Sequence, residues 1–264
     1  MVGQHKLQTT IQRYIDTRTM PRTLLLEGDV GCGKHTLANS IAEKLGVVLI
    51  DITDQLTLET IERAMLSPTP YVYLIDSSKI SIKEQNVILK FLEEPLKNAY
   101  IIVLCTNKAM LLNTVVNRCI VLTFEQYNAD ELYTFVENKD QWVDNQFKYA
   151  NTPGRVKYFE SINLNEMIAF AEKVLVQVKV ANCSNILNIS NSINFKNKPD
   201  LYDFDTFCFI LLIKSLDLYT TQQVPYSIVE LTQQLYRDNQ IPHINKQHMF
   251  EHYLIEMKLA YERS

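Results

Sequence analysis

Gly28, Gly31 and Gly33 lie in GDVGCGKHT (28–36), and Lys34 follows the last of them directly. The spacing G-x-x-x-x-G-K is that of a loop whose backbone N–H groups cradle phosphate oxygens while the lysine reaches the β- and γ-phosphates. The chain has only six glycines, and half of them fall in this one turn. That concentration predicts backbone with positive φ or a closely approaching ligand. The residue after such a lysine is ordinarily a serine or threonine whose hydroxyl ligates Mg2+. Here it is His35. Mg2+ is a hard cation that takes oxygen donors, so imidazole is a poor replacement. Thr36 is one helical step further on, turned by about 100°, and does not stand in for it. The second reactive position is Asp76, at the end of the apolar run YVYLID (71–76). A carboxylate there is placed to handle magnesium, but Ser77 follows it and is a poor base for orienting water. These residues predict a phosphate-loop site that either takes ATP or ADP with badly placed Mg2+ or takes no nucleotide, and they argue against hydrolysis.

The elements around these residues predict the fold. TLLLEG (23–28), VVLID (47–51), YVYLID (71–76), AYIIVLCT (99–106) and CIVLTF (119–124) read as short buried strands. Helical periodicity covers 4–19, 36–45, 57–65 and 83–92 between them. Alternating strands and helices imply an α/β unit, a parallel sheet with helices on both faces, over 1–124. The glycine loop follows a strand and opens a helix, which is the context its chemistry needs. Polar, helix-compatible residues then lead to NTPGRVKYF (151–159), a small helical subdomain over 125–163. The remainder, 164–264, is helical throughout, with the Asn- and Ser-rich stretch 182–203 read as a loop between helices. Phe204, Phe207, Phe209, Tyr236, Phe250 and Tyr253 have core-like spacing there.

Composition narrows the function classes. The 264 residues are 47% hydrophobic and 21% charged, as in an ordinary globular chain. No apolar run approaches the ~18 residues of a membrane helix. The start MVGQHKLQTTIQRY is polar and lacks a signal-peptide core. The five cysteines never come closer than fourteen residues, so no zinc spacing exists and free thiols in a reducing cytoplasm are expected. A net charge of −4 gives no support for strong autonomous nucleic-acid binding.

EGDVGCGKHTLANSIA (27–42), LIDSSKISIKEQNVILKFLEEP (74–95), IIVLCTNKAMLLNTVVNRC (101–119) and NTPGR (151–155) stand in the order and spacing of AAA+ DNA clamp-loader subunits. The chain most resembles the bacterial DNA polymerase III delta-prime subunit. NVILKFLEEP is similar to that family's central helix, NRC (117–119) to its Ser-Arg-Cys motif with Asn117 in the serine place, and VGQ (2–4) to its N-terminal start, which borders the adenine pocket. The resemblance is strong over 1–124, weaker to 163 and architectural beyond.

The resemblance implies an AAA+ domain over 1–124, a helical lid over 125–163 and an oligomerising helical collar over 164–264. It implies that Arg118 is an arginine finger acting on the ATP of a neighbouring subunit. Thr106 or Asn107 would be sensor 1, and Arg155 sensor 2 on the lid. The partners it implies are other AAA+ clamp-loader subunits, a sliding clamp and, through the complex, primer–template DNA, with no membrane. Bacterial members usually carry a four-cysteine zinc module. Residues 47–71 contain no cysteine, so a compact form without zinc is expected. Together these features predict a subunit without ATPase activity of its own, working inside an ATP-driven complex. An ATP-hydrolysing AAA+ subunit and a stand-alone P-loop ATPase or nucleotide kinase are the alternatives. The kinase reading leaves LEEP, NRC and PGR unexplained.

Overall fold

The computed structural model describes residues 2–93, 99–137, 139, 142, 146–162, 164–191, 193, 203–241 and 244–263. Glu94 and Pro95, the end of the LEEP motif, lie outside the described residues. The chain divides into two compact units, Met1–Lys157 and Tyr158–Ser264.

The first unit is built on five strands: β1 (Thr23–Glu27), β2 (Val48–Asp51), β3 (Tyr71–Asp76), β4 (Ala99–Cys105) and β5 (Ile120–Thr123). All pairings are parallel, in the order β2-β3-β4-β1-β5. The three central strands are buried on both faces: Leu24, Leu25 and Leu26 of β1 are each no more than 1% exposed. Strands shielded on both sides read as continuous apolar runs, which is why TLLL, YLI and IIVL carry no alternation.

Helices α1 (His5–Asp16), α2 (Lys34–Leu45), α3 (Leu58–Leu66), α4 (Ile82–Glu93) and the short α5 (Asn113–Val116) connect and cover the sheet. One face gathers Leu25, Tyr73, Ile75, Ile101 and Val103 against Ile61 of α3, Ile88 and Phe91 of α4 and Val115 of α5. Phe91 is fully buried and meets the Tyr73 ring edge-on, with centroids 5.3 Å apart. Burial of such a side chain contributes about 1.5–3 kcal/mol. Helix ends follow local chemistry. The Thr57 hydroxyl accepts from Thr60 N at the start of α3. Ser81 and Glu84 form a reciprocal capping box before α4.

A parallel sheet sends the C-terminal ends of all its strands to one edge. The loop after β1, Asp76 at the end of β3, Thr106 after β4 and Thr123 at the end of β5 therefore share that edge. Ligands of open α/β sheets bind there.

Helices α6 (Ala129–Tyr133) and α7 (Pro153–Glu160) follow β5. The second unit contains α8 (Leu164–Gln177), α9 (Cys183–Asn191), α10 (Phe204–Thr220), α11 (Tyr226–Asp238) and α12 (Lys246–Arg263). Phe204, Phe207 and Phe250 form its aromatic centre, with ring centroids 5.4 and 5.8 Å apart. Phe209 and Tyr253 are buried as well. The Tyr253 hydroxyl is paired with Thr232 at 2.8 Å.

One expectation fails here. The Asn- and Ser-rich stretch 182–203 does not begin as a loop but as helix α9. The Asn182 carboxamide oxygen accepts from the Asn185 N–H and so caps the helix start. Ile186 and Ser190, four residues apart, are both buried. One buried stripe and a good cap outweigh the low helix propensity of asparagine and serine. Positions 194–202 of that stretch lie outside the described residues.

Candidate functional site

The loop turns sharply because Gly31 and Gly33 take φ of +80° and +103°. Gly33 is the cap of α2, which starts at Lys34 rather than at the expected Thr36. His35 therefore sits in the first turn of the helix, at its positive end. Lys34 Nζ donates to the carbonyls of Gly28 and, at 2.8 Å, Asp29, so the ammonium is folded over the loop's own backbone. Gly28 is needed for space: a Cβ there would come within 2.8 Å of both Cys32 Sγ and Phe124 Cβ.

The NTPGR segment is fastened to this loop residue by residue. The Asn151 amide donates to Asp29 Oδ2 at 3.2 Å, and the Thr152 hydroxyl donates to the Val30 carbonyl at 2.9 Å. The Gly154 N–H donates to the Gly31 carbonyl at 2.9 Å. Arg155 is buried and donates to the Asn151 side chain. Arg155, which the resemblance makes sensor 2, thus belongs to a segment packed against the loop.

His35 and Asp76 are also brought together, with Nε2 of the imidazole 3.9 Å from Oδ2. The His35 side chain is 55% exposed and that of Asp76 is 19% exposed. Asp76 Oδ1 accepts from both the N–H and the hydroxyl of Ser78, at 3.0 and 2.7 Å. Thr36 instead lines a groove of about 450 Å3 between α1 and α2, with Gln8, Ile11, Ser40 and Lys44. Asn107 caps the turn that follows it, accepting from Ala109 N at 2.9 Å. Thr106 is half-buried at the end of β4.

Arg118 is held elsewhere. Its guanidinium donates to Glu93 Oε1 and to the Thr114 carbonyl. Its own carbonyl accepts from the Thr23 hydroxyl at 2.6 Å, beside the first residue of β1. The phosphate loop follows the last residue of β1, about 13 Å away along the strand. Arg118 therefore lies at the opposite edge of the sheet from its own chain's loop.

Residues 47–128 match the family described as DNA polymerase III, delta subunit. DNA polymerase III subunit gamma of Buchnera aphidicola subsp. Acyrthosiphon pisum (strain APS) is 23% identical, over 52% of this chain and 47% of that protein. The matched part is thus about half the length of that relative. A variant of Thermotoga maritima RuvB aligns over 97% of this chain and 88% of its own, with 17% identity and a TM-score of 0.51. Another RuvB structure from that organism aligns over 83% and 78%, with 18% identity and a TM-score of 0.50. The RuvB likeness establishes the sheet-and-helix architecture.

The chain has an AAA+-type fold and is similar in part to DNA polymerase III subunits.

The pairings of three residues around this site are not evident from the sequence. The Tyr127 hydroxyl donates to the Cys32 carbonyl at 2.8 Å and braces the loop from behind. Burial pushes that phenol up to about 12. Gln4 is buried and pairs both ways with the Glu125 backbone, at 2.6 and 2.8 Å, which ties the VGQ start to the segment after β5. Glu27, the last residue of β1, receives the Lys108 N–H, the Lys108 ammonium and the Thr123 hydroxyl. Burial acts to raise this carboxyl, but those donors together hold it below the ordinary value. All of these partners are remote in sequence, and no local pattern marks the pairings.

The donor set also tests the cation such loops work with. Magnesium takes near-octahedral oxygen ligands. Here the first turn of α2 presents an imidazole, Thr36 turns into the α1–α2 groove, and Asp76 has one oxygen taken by Ser78 and the other facing His35. This set does not fit a magnesium ion.

Proposed function

We propose that this chain is a subunit of a DNA polymerase sliding-clamp loader, delta-prime-like in role. It binds ATP or ADP at residues 28–36, does not hydrolyse it, and donates Arg118 to the ATP site of a neighbouring AAA+ subunit. Residues 125–163 act as a lid and 164–264 as a collar. Its partners are the other loader subunits, a sliding clamp and, through the complex, primer–template DNA in the cytoplasm. The reading is carried by the position of Arg118 at the far edge of the sheet from its own loop, out of reach of its own chain's phosphates. His35 and Ser77 support the loss of hydrolysis in cis.

A second reading has the relatives on its side: an ATP-hydrolysing AAA+ subunit, given the match to a gamma subunit and a retained Lys34. One experiment separates the two. ATP turnover is measured for the isolated chain and for a loader reconstituted with partner subunits from the same source. The proposal expects no turnover by the isolated chain and a fall of roughly 10³-fold in the complex on Arg118→Ala, at the lower end of what an arginine in trans gives GTPases. Turnover by the isolated chain supports the hydrolysing reading. An unchanged rate in the Arg118→Ala complex removes the trans role.

A further inference from the structure

We infer that the loop takes its nucleoside di- or triphosphate in the metal-free form, with the His35 imidazole as a phosphate donor in the place of a magnesium-ligating hydroxyl. This rests on the reading of residues 28–36 as a nucleotide site.

Three observations carry it. His35 lies in the first turn of α2, next to Lys34, where the helix end favours negative charge. Its side chain is more than half exposed, with Nε2 3.9 Å from Asp76 Oδ2, so the ring is reachable. Two of the oxygens near the loop that could serve a magnesium ion are directed elsewhere. Asp76 Oδ1 accepts twice from Ser78, and Thr36 faces the α1–α2 groove.

An imidazole N–H matches a phosphate oxygen as donor to acceptor. A phosphate already complexed to magnesium has much of that charge cancelled and brings a hydrated ion that must sit beside the ring. Magnesium dehydrates reluctantly and prefers oxygen to nitrogen. Lys34 and the amides of the loop supply the remaining positive potential.

The test is calorimetric titration of the purified chain with ADP and with ATP, in excess Mg2+ and in EDTA. The wild-type affinity is expected to differ by less than about threefold between the two conditions, under 1 kcal/mol. His35→Thr restores the hydroxyl and is expected to bind about tenfold more tightly with Mg2+ than without. His35→Ala is expected to lose about tenfold in EDTA, the worth of one hydrogen bond to a charged group. Circular dichroism and the thermal midpoint confirm that each variant is folded. A wild-type affinity that rises tenfold or more with Mg2+ overturns the inference while leaving the nucleotide site standing. So does a His35→Thr chain that stays indifferent to Mg2+. No binding of either nucleotide in either condition overturns the nucleotide site itself, and this inference with it.

Discussion

Gly154 and Gly31 meet backbone to backbone. The Gly154 N–H donates to the Gly31 carbonyl at 2.9 Å, and a Cβ added to Gly154 would lie 2.6 Å from Gly31 Cα. A Cβ on Gly31 would in turn meet Thr152 Oγ1 at 2.9 Å. Two glycines 123 positions apart thus let the NTPGR segment seat on the phosphate loop.

Gly154→Ala puts a methyl group into that contact with no flexible side chain to yield. The expected loss is about 1–3 kcal/mol of stability, as for other overpacked sites. Gly46→Ala is the control. Gly46 has φ +69° with open space around it, so only the left-handed backbone cost of roughly 1–2 kcal/mol applies. Urea unfolding measures both. Amide hydrogen exchange adds a distinction, since Gly154→Ala should deprotect the loop and Gly46→Ala should not. Unchanged protection in both would mean that the contact does not hold the loop.

Tyr127→Phe removes the hydroxyl that donates to the Cys32 carbonyl. The carbonyl is then left without that donor in a buried place. A loss of about 1–3 kcal/mol is expected, the cost of an unsatisfied buried acceptor. Nucleotide affinity should fall with it, because the loop loses its brace. Wild-type stability in this variant would show that water or a neighbour replaces the phenol.

Glu93→Gln breaks the ion pair on Arg118 but keeps the bond to the Thr114 carbonyl. Both side chains are a third or more exposed, so stability should change by less than about 1 kcal/mol. In the reconstituted loader the turnover should not fall, since the guanidinium is released rather than removed. A fall as large as that of Arg118→Ala would mean that Glu93 itself contributes to the partner's site.

Alkaline pH should destabilise the first unit. Burial pushes the thiols of Cys105 and Cys119 up to about 12, with the Glu27 carboxylate adding to the effect at Cys105. Both groups stay protonated in the folded chain while the unfolded chain loses those protons near 9. Their contribution is complete below pH 9 and is lost as pH rises toward 12. The slope is at most roughly 1.4 kcal/mol per pH unit for each group. Urea midpoints under reducing conditions at pH 8, 9 and 10 test this. Equal midpoints at 8 and 10 would refute it, and replacing both thiols by alanine should lessen the fall, leaving the share of the buried Cys32 and Cys208 thiols.

The sequence by itself determined the local chemistry. Glycine spacing announced the phosphate loop, and continuous apolar runs announced strands buried on both faces. The imidazole at position 35 and the serine at 77 marked where an ordinary magnesium site would carry a hydroxyl and a carboxylate. These are short-range signals, written within one turn or one strand. The stretch 182–191 misled because composition weighs residues singly, whereas one cap and one buried stripe suffice to make a helix. What tertiary structure alone decided is which distant groups meet. It set Gly154 on Gly31, Tyr127 under Cys32, Lys108 on Glu27, and Arg118 across the sheet from its own loop. Hydrophobic periodicity says which face of an element is buried, not what buries it. Those pairings depend on strand order, and strand order is a property of the whole folded sheet.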